Sequence, residues 1–98
     1  MKCHYCERFI PDELISVDHK VPTVAGGSNK KTNKVLACKW CNQIKSARDY
    51  NTFRRSLREF LTLEGVAEEW RAIADFKTAK AFQSKYDRWF NRNYCVHL

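Results

Sequence analysis

Residues 17–45 read Val17-Asp18-His19-Lys20-Val21-Pro22, then a loop with Gly26-Gly27, then Thr32-Asn33-Lys34-Val35-Leu36-Ala37-Cys38-Lys39-Trp40-Cys41-Asn42-Gln43-Ile44-Lys45. The apolar pattern divides this stretch into elements. Residues 14–18, Leu-Ile-Ser-Val-Asp, predict a short strand. Pro22 interrupts it, because proline has no N–H to give to a ladder. Residues 25–29, Ala-Gly-Gly-Ser-Asn, form a loop by composition. Lys34 to Ala37 predicts a second strand. From about Lys39 a helix follows, with Trp40, Ile44 and Ala47 at i, i+4 and i+7. Strand, loop, strand and helix make a compact ββα unit, so the expected fold class is α+β.

The cysteines frame that unit. Four of the five fall in two Cys-x-x-Cys pairs, Cys3/Cys6 and Cys38/Cys41, with 31 residues between the pairs. The N-terminus has no apolar stretch of a secretory signal, so the expected compartment is reducing and cytoplasmic. There, paired cysteines at this spacing point to a metal rather than to disulfides. Four thiolates on one tetrahedral Zn²⁺ leave no open position, so the expected ion is structural. In small zinc modules such an ion contributes on the order of 10 kcal/mol. His4, inside the first pair, reads as a solvated histidine rather than a replacement ligand. Cys95 has no partner nearby and reads as a small buried apolar residue.

The composition changes near residue 48. Residues 1–48 hold both prolines, the paired cysteines and every glycine but Gly65. Residues 49–98 predict a helical extension packed on or beside the core. Phe53, Leu57, Phe60 and Leu61 form one apolar stripe, Val66, Trp70 and Ile73 a second, and Phe82, Tyr86, Trp89 and Phe90 a third, with Gly65 as a stop. No apolar run approaches the ~18 residues of a membrane span. Lys and Arg total 18 against 11 Asp and Glu, a formal net charge of +7. That balance favours a polyanion such as nucleic acid, whose counterions the basic side chains displace.

The middle stretch carries groups suited to phosphodiester hydrolysis. That reaction needs a base to activate water, a divalent ion on the phosphate and cations along the backbone. His19 can act near neutral pH, Asp18 offers a carboxylate oxygen to a hard cation, and Asn42 offers an amide oxygen. Asn42 directly follows Cys41, so its side chain is turned by about 100° around the helix. Zinc bound at Cys41 thus fixes the helix start and aims Asn42 at a second site. One requirement is visible: adjacent residues of a regular strand face opposite sides, so Asp18 and His19 can share a site only where the strand ends or twists.

Val-Asp-His-x-x-Pro, the Gly-Gly loop, Asn33 and Cys-x-x-Cys-Asn-x-x-Lys, in this order, closely resemble the HNH endonuclease family over residues 3–45. The resemblance implies a ββα-metal nuclease fold, with His19 as the general base and Asp18 and Asn42 on the catalytic ion. It implies that Asn33 bonds to backbone and holds the loop so that His19 is oriented. It also implies products with a 5′ phosphate and a 3′ hydroxyl. Asn42 stands where the family's name has its last histidine. With oxygen donors on both sides, Mg²⁺ or Mn²⁺ is expected over softer metals.

Around this centre, Lys30, Lys31, Lys34, Lys39, Lys45, Arg54, Arg55 and Arg58 are the candidate contacts to nucleic acid. Phosphate contacts position a duplex without reading it, so weak sequence preference is expected. DNA is the expected substrate, and RNA stays open. A single site nicks, whereas double-strand cutting needs two sites, as in a homodimer. The helical half could also carry a protein partner. The competing reading is a non-catalytic, zinc-stapled module for nucleic-acid binding or assembly. It explains the cysteines and the charge but leaves Asp18, His19, Asn33 and Asn42 without a common cause.

Overall fold

The computed structural model describes residues 1–46 and 48–94. Ala47, expected on the first helix, and Cys95, expected as a buried apolar residue, lie outside the described residues. The chain divides into two units, Met1–Arg55 and Ser56–Leu98.

In the first unit, β1 (Ile15–His19) and β2 (Lys34–Cys38) pair antiparallel, in register from Ile15↔Cys38 to His19↔Lys34. Helix α1 (Lys39–Lys45) follows β2 directly. This is the ββα order read from the sequence, with β1 displaced by one residue. The displacement has a local cause: Leu14 closes a 3₁₀ turn, its N–H donating to the Pro11 carbonyl at 2.9 Å. His19 therefore becomes the last residue of the strand. α1 starts sharply, because the Cys38 sulfur accepts the Cys41 N–H at 3.3 Å. It stops at Ser46, whose φ of 52° no helix can continue.

Alternation along the strands sorts their side chains into two faces. Ser16 and Asp18 face α1: Asn42 Nδ2 donates to Ser16 Oγ at 2.7 Å, and Lys45 pairs with Asp18. The other face is partly bare, with Val17 52% exposed. Tyr5, Ile10, Ala37, Trp40, Ile44 and Phe53 are buried and form this unit's core. The Tyr5 and Phe53 rings meet edge to face at 4.9 Å.

The Gly-Gly loop is required twice, for different reasons. Gly26 has φ +87°, a conformation side chains resist. At Gly27 a Cβ would lie 1.8 Å from the Val21 carbonyl oxygen. The loop thus folds back onto the exit of β1, with Gly27 N–H donating to the Pro22 carbonyl at 2.9 Å.

Helix α2 (Tyr50–Leu61) spans the boundary between the units, and α3 (Val66–Arg71) and α4 (Phe76–Asn93) complete the second. Gly65, at φ +80°, takes the left-handed conformation just before α3. Asp75 and Thr78 start α4 with a reciprocal capping box, which also holds the Asp75 carboxyl below its usual range. Leu57, Phe60, Trp70, Ile73, Phe82, Tyr86 and Phe90 are buried, while Leu61, Val66 and Trp89 are half-buried. The three apolar stripes are therefore core, as their spacing indicated. Ser56 and Tyr86 satisfy each other inside it, hydroxyl to hydroxyl at 2.6 Å. Among the described residues, no helix is long and apolar enough to cross a membrane.

Phe82 packs against Phe60 and Trp70, with centroids 5.4 and 4.9 Å away. Phe82→Ala is expected to cost ~3–5 kcal/mol in urea unfolding. Phe76→Ala, at a side chain 59% exposed, should change stability by less than ~0.5 kcal/mol.

Candidate metal centre and active site

The sulfurs of Cys3, Cys6, Cys38 and Cys41 all lie within 4.8 Å of one another. Tetrahedral zinc thiolates would stand about 3.8 Å apart, so the cluster needs little contraction around an ion. Backbone N–H groups already point at it. Cys38 N–H donates to the Cys3 sulfur at 3.3 Å, and Cys41 N–H to the Cys38 sulfur at 3.3 Å. The first knuckle is docked on β2 by His4 N–H to the Leu36 carbonyl at 3.0 Å. Hydrogen bonds from Cys38, Cys41 and Cys6 hold the Cys3 thiol well below its usual range. Burial, with hydrogen bonding to Cys3, pushes Cys41 well above it. The cluster therefore cannot hold four thiolates unless a cation compensates them. That donor set fits a structural metal such as zinc. His4 is not in the cluster; its Nε2 is hydrogen-bonded to the Tyr50 hydroxyl.

Where β1 exits lies an open cavity of about 300 Å³, lined by Asp18, His19 and Lys45 with the loop residues Pro22, Thr23 and Val24 and with Ser46. Asp18 and His19 reach it together because β1 ends at His19. Asp18 is buried, and its Oδ2 takes two partners. One is the Tyr5 hydroxyl, and the other is the Lys45 ammonium at 3.2 Å. Burial, with Asp18 beside it, pushes the Tyr5 phenol far up, so Tyr5 stays protonated and donates. Both partners engage the same oxygen, Oδ2.

Lys45 was grouped with the nucleic-acid contacts on its charge, but its side chain is only 1% exposed. Its ammonium also donates to the His19 carbonyl at 2.9 Å. It thus ties the helix to both residues at the strand end. His19 Nε2 lies 2.9 Å from Asn29 Oδ1.

Asn33 grips the loop at two places. Its Nδ2 donates to the Ser28 carbonyl at 2.8 Å and the Val21 carbonyl at 3.1 Å, while its Oδ1 accepts the Val21 N–H at 3.0 Å. Asn42 shares the β1–α1 interface with Asp18 but does not line the cavity, and its amide nitrogen is turned to Ser16. The structure thus brings Asp18, His19 and Lys45 together and sets Asn42 one strand repeat away.

Lys30, Lys31 and Lys39 are exposed, Lys34 is half-buried, and Lys39 lies over the Trp40 ring at 5.5 Å. Arg55 is exposed. Arg54 is half-buried and donates to the Tyr50 hydroxyl at 3.0 Å, and Arg58 is half-buried in the second unit. The charge is uneven: Met1–Arg55 carries 11 Lys and Arg against 5 Asp and Glu, and Ser56–Leu98 carries 7 against 6. Most of the positive charge therefore belongs to the unit with the cavity. Sequence reasoning missed Tyr5, Asn29 and the inward role of Lys45. An aromatic between two paired cysteines was a usable signal for Tyr5; a loop asparagine offered none.

Residues 3–48 match the family model of HNH endonuclease. The matched segment spans the ββα unit and all four clustered cysteines. No curated protein matches the chain.

The protein purified from zinc-containing medium is expected to carry one tightly held metal per chain by native mass spectrometry. Cys38→Ser should lose it, together with the cooperative thermal transition of the first unit. Lys45→Met, which strands the Asp18 carboxylate inside, is expected to cost ~3–5 kcal/mol in urea unfolding.

Proposed function

We propose that the chain is a metal-dependent endonuclease that hydrolyses phosphodiester bonds of DNA. The observation that carries this reading is the meeting of Asp18 and His19 at one cavity, within the segment that matches the nuclease family. His19 accepts a proton from water, whose oxygen then bonds to phosphorus as the bond to the 3′ oxygen breaks. The products carry a 5′ phosphate and a 3′ hydroxyl. Asp18 and Asn42 would hold Mg²⁺ or Mn²⁺ through oxygen, the Asn42 amide nitrogen being engaged by Ser16. When bound, such an ion polarises the phosphate and stabilises the leaving oxygen. Asn33 braces the loop beside His19.

Basic side chains steer the backbone. Exposed Lys30 and Lys31 are the foremost of them, with Lys34, Lys39, Arg54, Arg55 and Arg58 as further contacts. A monomer nicks, and two sites acting together cut both strands.

Supercoiled plasmid with Mg²⁺ tests the reading. The zinc-loaded parent should produce relaxed plasmid, a chelator should stop it, and His19→Ala should stay folded and bind DNA while nicking at least ~100-fold more slowly. Equal cutting by His19→Ala removes His19 as the base. A zinc-loaded parent that binds DNA but never nicks it is a binding module instead. Lys30→Ala with Lys31→Ala should weaken DNA binding and lower the slope of log affinity against log salt by up to ~2.

A further inference from the structure

His19 is held at two points by different parts of the first unit. Its backbone carbonyl accepts from the Lys45 ammonium at 2.9 Å. Its ring meets a second partner outside the strand, Asn29, with Nε2 2.9 Å from Oδ1. An amide oxygen only accepts hydrogen bonds, so the ring nitrogen facing it carries the proton. In a neutral imidazole the lone pair then sits on Nδ1.

Asn29 is not on a free loop. The neighbouring Ser28 carbonyl is gripped by Asn33 Nδ2 at 2.8 Å. Two residues earlier in the chain from Ser28, Gly26 turns through a positive φ, and Gly27 lies against the Val21 carbonyl, where no Cβ fits. The acceptor oxygen is therefore presented from a braced segment.

We propose that Asn29 is the positioning residue of this site: its side-chain oxygen fixes the orientation and tautomer of His19, leaving Nδ1 as the atom that takes the proton from water. This rests on the nuclease reading and extends it. Asn29 touches neither substrate nor ion in this role. When Nδ1 gains its proton, the ring becomes a cation and the Nε2–H bond to Asn29 becomes charge-assisted and stronger.

The test compares the full-length, zinc-loaded parent with Asn29→Ala and Asn29→Asp, the second of which keeps an acceptor oxygen. Two-bond ¹H–¹⁵N spectra at a pH where His19 is neutral read its tautomer. A single Nε2–H form is expected in the parent and in Asn29→Asp, and a mixture in Asn29→Ala. In plasmid nicking, kcat of Asn29→Ala should fall about tenfold with KM unchanged, and Asn29→Asp should return kcat to within about threefold of the parent.

The proposal is overturned by the same tautomer ratio in the parent and Asn29→Ala. It is equally overturned by a loss confined to KM, or by a kcat in Asn29→Asp as low as in Asn29→Ala. A parent that does not nick defeats the nuclease reading, and the tautomer comparison still decides the role of Asn29.

Discussion

Four sulfurs, two from the N-terminal knuckle and two from the β2–α1 junction, lie within 4.8 Å of one another, and they cannot all be thiolates unless a cation sits among them. That constraint orders much of what surrounds it. Cys38 closes β2 and caps α1, so a metal there fixes the angle between strand and helix. Cys3 and Cys6 bring the N-terminal knuckle onto β2, and with it Tyr5. A first unit of this size buries a small core. Burial alone would leave it marginal, and ion binding adds free energy only to the folded chain.

From that clamp, position passes to the cavity through a short series of polar contacts. Tyr5, between two of the sulfur ligands, donates to Asp18. Lys45, one turn beyond Cys41, reaches both Asp18 and the His19 carbonyl. The carboxylate and the histidine are thus fixed by groups that flank the cysteine cluster in the chain. A buried ion pair adds little net stability once its desolvation is counted, while removing one partner is costly. The Asp18–Lys45 pair is better understood as a locator than as a source of stability.

Much of the fold was legible in the sequence because its signals were local or paired. Two Cys-x-x-Cys knuckles announced the cluster, strand–loop–strand–helix patterning announced the ββα unit, and stripes at helical spacing announced the buried faces of α2 to α4. The one-residue displacement of β1 was not legible, because it depends on a 3₁₀ turn closing at Leu14. The inward course of Lys45 was hidden for a different reason. Charge composition assigns a lysine to the surface, and only the positions of Asp18 and the His19 carbonyl turn it inside. Asn29 was invisible because its partner lies ten residues away across a loop, held by Asn33 and by two glycines with distinct tasks. Asp18, His19, Asn33 and Asn42 were all singled out from sequence, but the turn of the Asn42 amide toward Ser16 was not.

The cation proposed to sit on Asp18 and Asn42, close to His19, makes a direct demand on metal titration. Mn²⁺ added to zinc-loaded protein broadens the NMR signals of residues nearest the bound ion. Broadening should begin at Asp18, His19 and Asn42 and be abolished by Asp18→Ala, with the zinc retained. Broadening centred on the acidic side chains of α3 around Glu68 and Glu69, or none that Asp18→Ala removes, would contradict it.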